Sequence, residues 1–174
     1  MSLGLYLHIP YCFSKCRYCD FYSAPGQRGV PRAYVDALLR ELSRFAPDAP
    51  LRPDTLYFGG GTPSLLDPAD AARLIAAAQP LPGAEITLEA NPDVVTPENL
   101  AGFAAAGVTR ISFGVQSADD AQLHRLGRTH TAAAAAQAFA WAREAGFREI
   151  CGDIMLALPY YSIAVQNAIL EELI

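Results

Sequence analysis

Cys12, Cys16 and Cys19 are three of the four cysteines in a chain of 174 residues, and they fall within eight positions as C-x3-C-x2-C. The odd number in the cluster disfavours a disulfide framework, as does a reducing compartment. A catalytic thiol would need one cysteine rather than three. Zinc commonly takes four ligands as two pairs, so His8 or Asp20 would have to complete the set. A [4Fe–4S] cluster takes four thiolates when fully ligated. Three would leave one iron open to an exogenous ligand. The spacing therefore favours an iron–sulfur cluster, with a zinc-stabilised binding module as the alternative.

Such a loop needs a frame. Five short runs read as strands: 3–9, 54–58, 85–89, 110–116 and 149–156, each rich in β-branched or aromatic residues and ending near Pro, Gly or Asn. Helices fall between them. Pro31 opens one with Tyr34, Leu38, Leu42 and Phe45 on its apolar face; Asp67-Pro68 and Thr96-Pro97 each pair an N-cap with Pro at the first helical position. Gly107 closes the second of these. Ser117 is expected to cap a short helix through Leu126, and Thr131 to open another that Gly146 closes.

This β-α alternation implies a parallel sheet with helices outside it. Strand parity separates an open doubly wound sheet from a barrel. Leu5, Leu7 and Ile9 oppose Tyr6 and His8; Ile86 and Leu88 oppose Thr87 and Glu89. Ile111, Phe113 and Val115 oppose Ser112, Gly114 and Gln116; Ile150, Ile154 and Leu156 oppose Cys151 and Asp153. One face is apolar and the other polar, whereas a doubly wound sheet needs two apolar faces. A barrel with a polar lumen fits better, with its site at the C-terminal strand ends. The cysteine loop follows the first strand, at that mouth. His8 reads as a structural strand-end residue, and Cys151 as a buried inert thiol. His124 and His130 read as lying outside the site.

A net charge of −5 and a pI near 5.1 argue against nucleic acid or an anionic membrane as the main partner. No run is long and apolar enough for a membrane span, and "MSLGLYLHIP" has no basic n-region, so the expected compartment is the cytoplasm.

The motifs carry a resemblance. "YLHIPYCFSKCRYCDF" is similar to the opening of the radical S-adenosylmethionine (SAM) superfamily, and more narrowly to the oxygen-independent coproporphyrinogen III oxidase-like group. "YFGGGTPSLL" (57–66), "EANPD" (89–93), "ISFGVQS" (111–117) and "LGRTHT" (126–131) match that group's pattern in order, over about residues 3–159. The resemblance implies a partial (β/α) radical SAM, TIM-like barrel. It also implies a [4Fe–4S] cluster on Cys12, Cys16 and Cys19 whose open iron binds SAM. Reductive cleavage of the sulfonium C–S bond would then yield a 5′-deoxyadenosyl radical. The implied SAM contacts are Tyr6, Tyr18 beside the adenine, and Gly60, Gly61 and Thr62 at the methionine end, together with Glu89, Gln116, Arg128 and Asp153. No residue is assigned a catalytic role.

Two departures narrow the expectation. The oxidases carry a further cysteine two places after the third, where this chain has Phe21. It resembles instead the related heme chaperones, which implies heme as a ligand and a heme-acceptor protein as partner. A true oxidase acting on a porphyrinogen is the alternative. After "DIMLALP" the chain reads "YYSIAVQNAILEELI", unlike the family continuation. Residues 1–159 are thus expected to form the N-terminal part of the radical SAM core, and 160–174 an atypical, helix-compatible tail. Truncation would leave an open barrel edge through which copies could associate, and such a fragment could be unable to turn over.

Overall fold

The computed structural model describes residues 2–45, 50–158 and 167. Five strands form one parallel sheet in chain order: β1 (Gly4–Ile9), β2 (Thr55–Gly60), β3 (Glu85–Ala90), β4 (Arg110–Gln116) and β5 (Glu149–Ile154). Between them run α1 (Arg32–Phe45), α2 (Pro68–Ala78), α3 (Pro97–Ala106), α4 (Asp120–Leu126) and α5 (Ala132–Glu144). A 3-10 turn at Pro63–Leu65, not expected from the sequence, links β2 to α2. The expected partial α/β barrel is the architecture found. The tail 160–174 lies outside the described residues, Asn167 excepted.

The helix starts follow their caps. The Asp67 carboxylate accepts from the Ala69 amide, and Thr96 and Asn99 satisfy each other's backbone amides in a capping box. Thr131 accepts from the Ala134 amide at the head of α5. Two expectations are corrected. Asp119 rather than Ser117 caps α4, because its carboxylate reaches two first-turn amides, from Ala121 and Gln122; the Ser117 hydroxyl accepts from the Asp119 amide instead. On α1, Val35 and Leu42 are the buried residues and Phe45, the last residue of the helix, is exposed.

Parity sorts β1, β3 and β4 as expected, whereas β5 ends at Ile154, so Leu156, expected on its apolar face, lies beyond the strand and is exposed. Leu7, Ile9, Leu56, Phe58, Ile86, Leu88, Ile111, Phe113 and Val115 are buried in one apolar cluster with Leu74, Leu100 and Phe103 of the helices. That face is the core, and its burial supplies most of the driving force for folding. The opposite face carries Tyr6, His8, Tyr57, Thr87, Glu89, Ser112 and Gln116. Thr87 and Ser112 are buried at its floor, and Glu89 and Gln116 stand at the strand ends. Among the described residues β1 and β5 are the sheet's edges. The burial on β5 is correspondingly thin: none of its six residues is fully buried. No described helix is long and apolar enough to cross a membrane.

Candidate functional site

Residues 10–31 form an irregular loop beyond β1, and backbone hydrogen bonds tie it down at several places. First, Tyr11 and Ala24 make an isolated bridge, with the Ala24 amide donating to the Pro10 carbonyl at 2.6 Å and the Cys12 amide to the Ala24 carbonyl at 3.0 Å. Second, the Gln27 amide donates to the Cys12 carbonyl at 3.0 Å. Third, the Arg17 amide donates to the Leu126 carbonyl at 3.0 Å, so the end of α4 receives the middle of the loop. That last bond uses one of the carbonyls that a helix C-terminus leaves unpaired. The loop needs these ties because it has little regular structure of its own.

The loop after β2 meets it from below. Gly60 has φ of +119°, a conformation that favours glycine, and a Cβ there would sit 2.6 Å from the His8 ring. A Cβ on Gly61 would stand 2.6 Å from the Tyr11 carbonyl oxygen and 2.9 Å from Cys12 Sγ. The glycines of "GGGTP" thus admit the first cysteine directly against the β2 end. The Thr62 amide completes the contact by donating to the Tyr11 carbonyl at 2.7 Å.

Between them opens a cavity of about 490 Å³. Its walls include Cys12, Cys16, Cys19, Tyr18, Gly60, Gly61, Thr62, Glu89, Gln116, Arg128 and Asp153. All but one of the residues singled out in the sequence therefore converge. The exception is Tyr6, which does not line the cavity: its ring stacks on Tyr57 with centroids 5.9 Å apart, and its hydroxyl meets His8 Nδ1 at 3.2 Å. Tyr57 in turn donates to Glu89 Oε1 at 2.7 Å, while the Gly60 amide donates to Oε2 at 3.1 Å. Burial and that carboxylate push the Tyr57 phenol far above its usual range, so it stays a donor to Glu89. Ser112 donates to Asp153 at 3.2 Å. Gln116 ends β4 with φ of +66°, a left-handed conformation unusual for a non-glycine residue, beside a register shift between Phe113 and Gln116. Burial raises the Tyr18 phenol to about 12, against the pull of the Arg128 guanidinium.

Arg128 is the hub of the upper wall. It donates to Cys16 Sγ at 3.3 Å, to Asn91 Oδ1 at 2.8 Å and to the Gly114 carbonyl at 2.6 Å. Asn91, Tyr57, Ser112 and Gly114 were missed as contributors to the site. In the sequence Asn91 is visible within "EANPD" and as a strand terminator, Tyr57 within "YFGGGTPSLL", and Ser112 and Gly114 on the polar face of their strand, but none is singled out as a contact. The histidines fall differently from one another. His8 is structural as expected, its Nε2 meeting the Tyr22 carbonyl at 3.1 Å, and His124 is exposed on α4. His130 lies in the loop between α4 and α5 and does not line the cavity; it is buried there, with Nε2 against the Val115 carbonyl. Cys151 is half-buried rather than buried and does not line the cavity.

The four cysteines are free thiols. Among the described residues no three His, Cys, Asp or Glu side chains converge closely enough to hold one metal ion. A zinc ion draws its ligands to about 2.0–2.3 Å from a single centre. Cys12, Cys16 and Cys19 line one cavity together, and three thiolates are a donor set that would hold an iron–sulfur cluster there. Arg128 places a guanidinium N–H on Cys16 Sγ, a donor that a sulfur ligand can accept. The donor set and the space fit an iron–sulfur cluster with a polar, amino-acid-like ligand beside it.

Comparisons with known proteins agree with this geometry. The chain is 40% identical over 167 residues to the heme chaperone HemW of Haemophilus influenzae, covering 90% of this chain and 44% of that protein. It is 43% identical to the HemW of Escherichia coli, over 92% of this chain and 44% of that protein. It is 41% identical to a mitochondrial radical S-adenosyl methionine domain-containing protein 1 of Bos taurus, over 90% and 36%. The chain thus spans less than half the length of these curated relatives. The solved structure of coproporphyrinogen III oxidase (HemN) from Escherichia coli, a radical SAM enzyme, matches with a TM-score of 0.84 at 28% identity, over 99% of this chain and 41% of that one. The family model for the radical SAM superfamily matches residues 6–171, the span that holds the cysteine loop, the glycine loop and every strand end described above, and the chain belongs to that superfamily.

Proposed function

We propose that this chain is the cluster- and SAM-binding part of a heme-handling protein of the heme-chaperone type. The single observation that carries the reading is the convergence of three free thiols with Glu89, Gln116, Arg128 and Asp153 around one cavity at the strand ends. In this reading Cys12, Cys16 and Cys19 hold a [4Fe–4S] cluster. Gly60, Gly61 and Thr62 take the methionine end of SAM. Glu89, held in place by two donors, suits its ammonium group, and Arg128 its carboxylate. Gln116 and Asp153 suit ribose hydroxyls, Tyr18 stands by the adenine, and Tyr6 supports Glu89 through Tyr57. When bound, cluster and SAM supply one-electron cleavage of a sulfonium C–S bond. The chain's own work is to hold the thiols in place, to orient the ligand's charged end, and to stabilise the sulfur ligand electrostatically through Arg128.

Heme as cargo rests on the named relatives and on Phe21. That side chain stands where the oxidases carry a cysteine, lines the cavity, and is 66% exposed. Its face suits a flat macrocycle better than a metal. Transfer of heme to an acceptor protein belongs to the same proposal. So does a reducing compartment such as the cytoplasm, although the Bos taurus relative is named as mitochondrial.

The test is anaerobic reconstitution with iron and sulfide, then electron paramagnetic resonance of the reduced protein with and without SAM. A [4Fe–4S] signal that changes on adding SAM is expected. Stoichiometric zinc without iron uptake would overturn the reading. Heme titration followed by its visible absorption, set against product analysis with a porphyrinogen, then separates cargo binding from decarboxylation.

A further inference from the structure

Asn91 sits between the two loops that build the cavity, and every polar atom of its side chain is committed. Its Nδ2 donates to Thr62 Oγ1 at 3.1 Å, and its Oδ1 accepts from Arg128 Nη2 at 2.8 Å. The amide orientation is forced, because a guanidinium has no acceptor and must face the oxygen. The backbone is held as firmly. The Asn91 amide donates to Ser64 Oγ at 3.4 Å, and its carbonyl accepts from the Val94 amide at 3.2 Å. A second pair, Thr129 donating to Asp93, joins the same two segments. The loop after β3 is therefore interlocked with the segment after α4.

Arg128 is a long side chain with four rotatable bonds, and alone it would not hold one direction. Asn91 and the Gly114 carbonyl take Nη2 from two sides, which leaves Nη1 pointing at Cys16 Sγ. Gly114 makes room for this: a Cβ there would lie 3.1 Å from Arg128 Nη2 and 3.3 Å from Asn91 Oδ1. We propose that Asn91 is a positioning residue that aims Arg128 at the Cys16 sulfur and ties the glycine loop to the cysteine loop, so that ligand binding and cluster potential depend on one side chain. The inference rests on the reading above that Cys16 is a cluster ligand. Hydrogen bonds to cluster sulfurs are among the factors that set reduction potential.

The experiment uses the full chain, reconstituted anaerobically. Two quantities are read: the SAM dissociation constant by equilibrium dialysis, and the cluster's midpoint potential by resonance-monitored titration. Asn91→Ala is expected to raise the dissociation constant roughly tenfold, as loss of a hydrogen bond to a charged group does, and to lower the potential. Arg128→Ala should do both at least as strongly. The double variant should match Arg128→Ala within about twofold, because Asn91 acts through Arg128. Gly114→Ala, which crowds the pair and also Gln116 Nε2 at 3.0 Å, should lower the potential in the same direction, and that readout serves if Asn91→Ala folds poorly. Unchanged potential in Asn91→Ala and Gly114→Ala, with a wild-type cluster that responds to SAM, would overturn this inference and leave the cluster reading standing. Purely additive losses in the double variant would overturn it too. A wild-type chain that takes up no cluster would overturn both.

Discussion

The two faces of the same sheet obey different physics. The outer face, from Leu7 to Val115, is packed against helices and essentially dry. Its residues are interchangeable in kind, since burial rewards area rather than identity. The inner face carries few residues, each with specific partners: Glu89 held by Tyr57 and Gly60, Asp153 by Ser112. One face holds the molecule together, and the other aims side chains at a cavity. Substitutions on the two faces should therefore separate stability from ligand binding.

The largest effect belongs to the outer face. Phe113 is fully buried and packs on Phe139 with centroids 5.2 Å apart. Phe113→Ala should cost about 3–5 kcal/mol in urea unfolding. A loss below about 1 kcal/mol would mean that this face is not the core. Next is Glu89→Gln, which retains an acceptor but removes the charge. It should weaken SAM binding about tenfold while leaving the unfolding midpoint nearly unchanged. A stability loss as large as that of Phe113→Ala would blur the division between the faces. Thr96→Ala, at the capping box of α3, lies on neither face. It should cost about 1 kcal/mol and leave SAM affinity untouched.

The smallest effect is one of pH. His130 is buried against the Val115 carbonyl, with Arg128, Asp93 and Asp120 as the charged groups acting on it. Burial, then Arg128, lowers its pKa from 6.5. The unfolded chain therefore takes up this proton at a higher pH than the folded chain does. The histidine's share of stability is fully present above about pH 6.5 and falls as the solution is acidified towards the lower folded value. His130→Gln should flatten the decline in thermal midpoint between pH 7 and 5. An unchanged slope would place the acid sensitivity elsewhere.

Much of this was legible in the sequence because it depends on local rules. Period-two alternation marked β1, β3 and β4, and Asp67-Pro68 and Thr96-Pro97 marked two helix starts correctly. Ser117 misled because Asp119, two residues on, offers the stronger cap; local sequence allows both. β5 shows a different limit. Its alternation resembles that of β4, yet its residues are half-open because no described strand follows it. Alternation is a property of one strand, whereas burial also requires a neighbour.

The sequence by itself determined the chemistry available here: three thiols at cluster spacing, glycines where a loop must approach closely, and polar residues at three strand ends. It did so because ligand type, backbone freedom and strand parity are set within a few residues. Only the tertiary structure decided how those parts are aimed. Asn91 meets Arg128 across 37 positions, and Arg128 meets Cys16 across 112. Such contacts leave no local pattern, since they exist only once the sheet has brought the loops after β1, β3 and α4 to the same end.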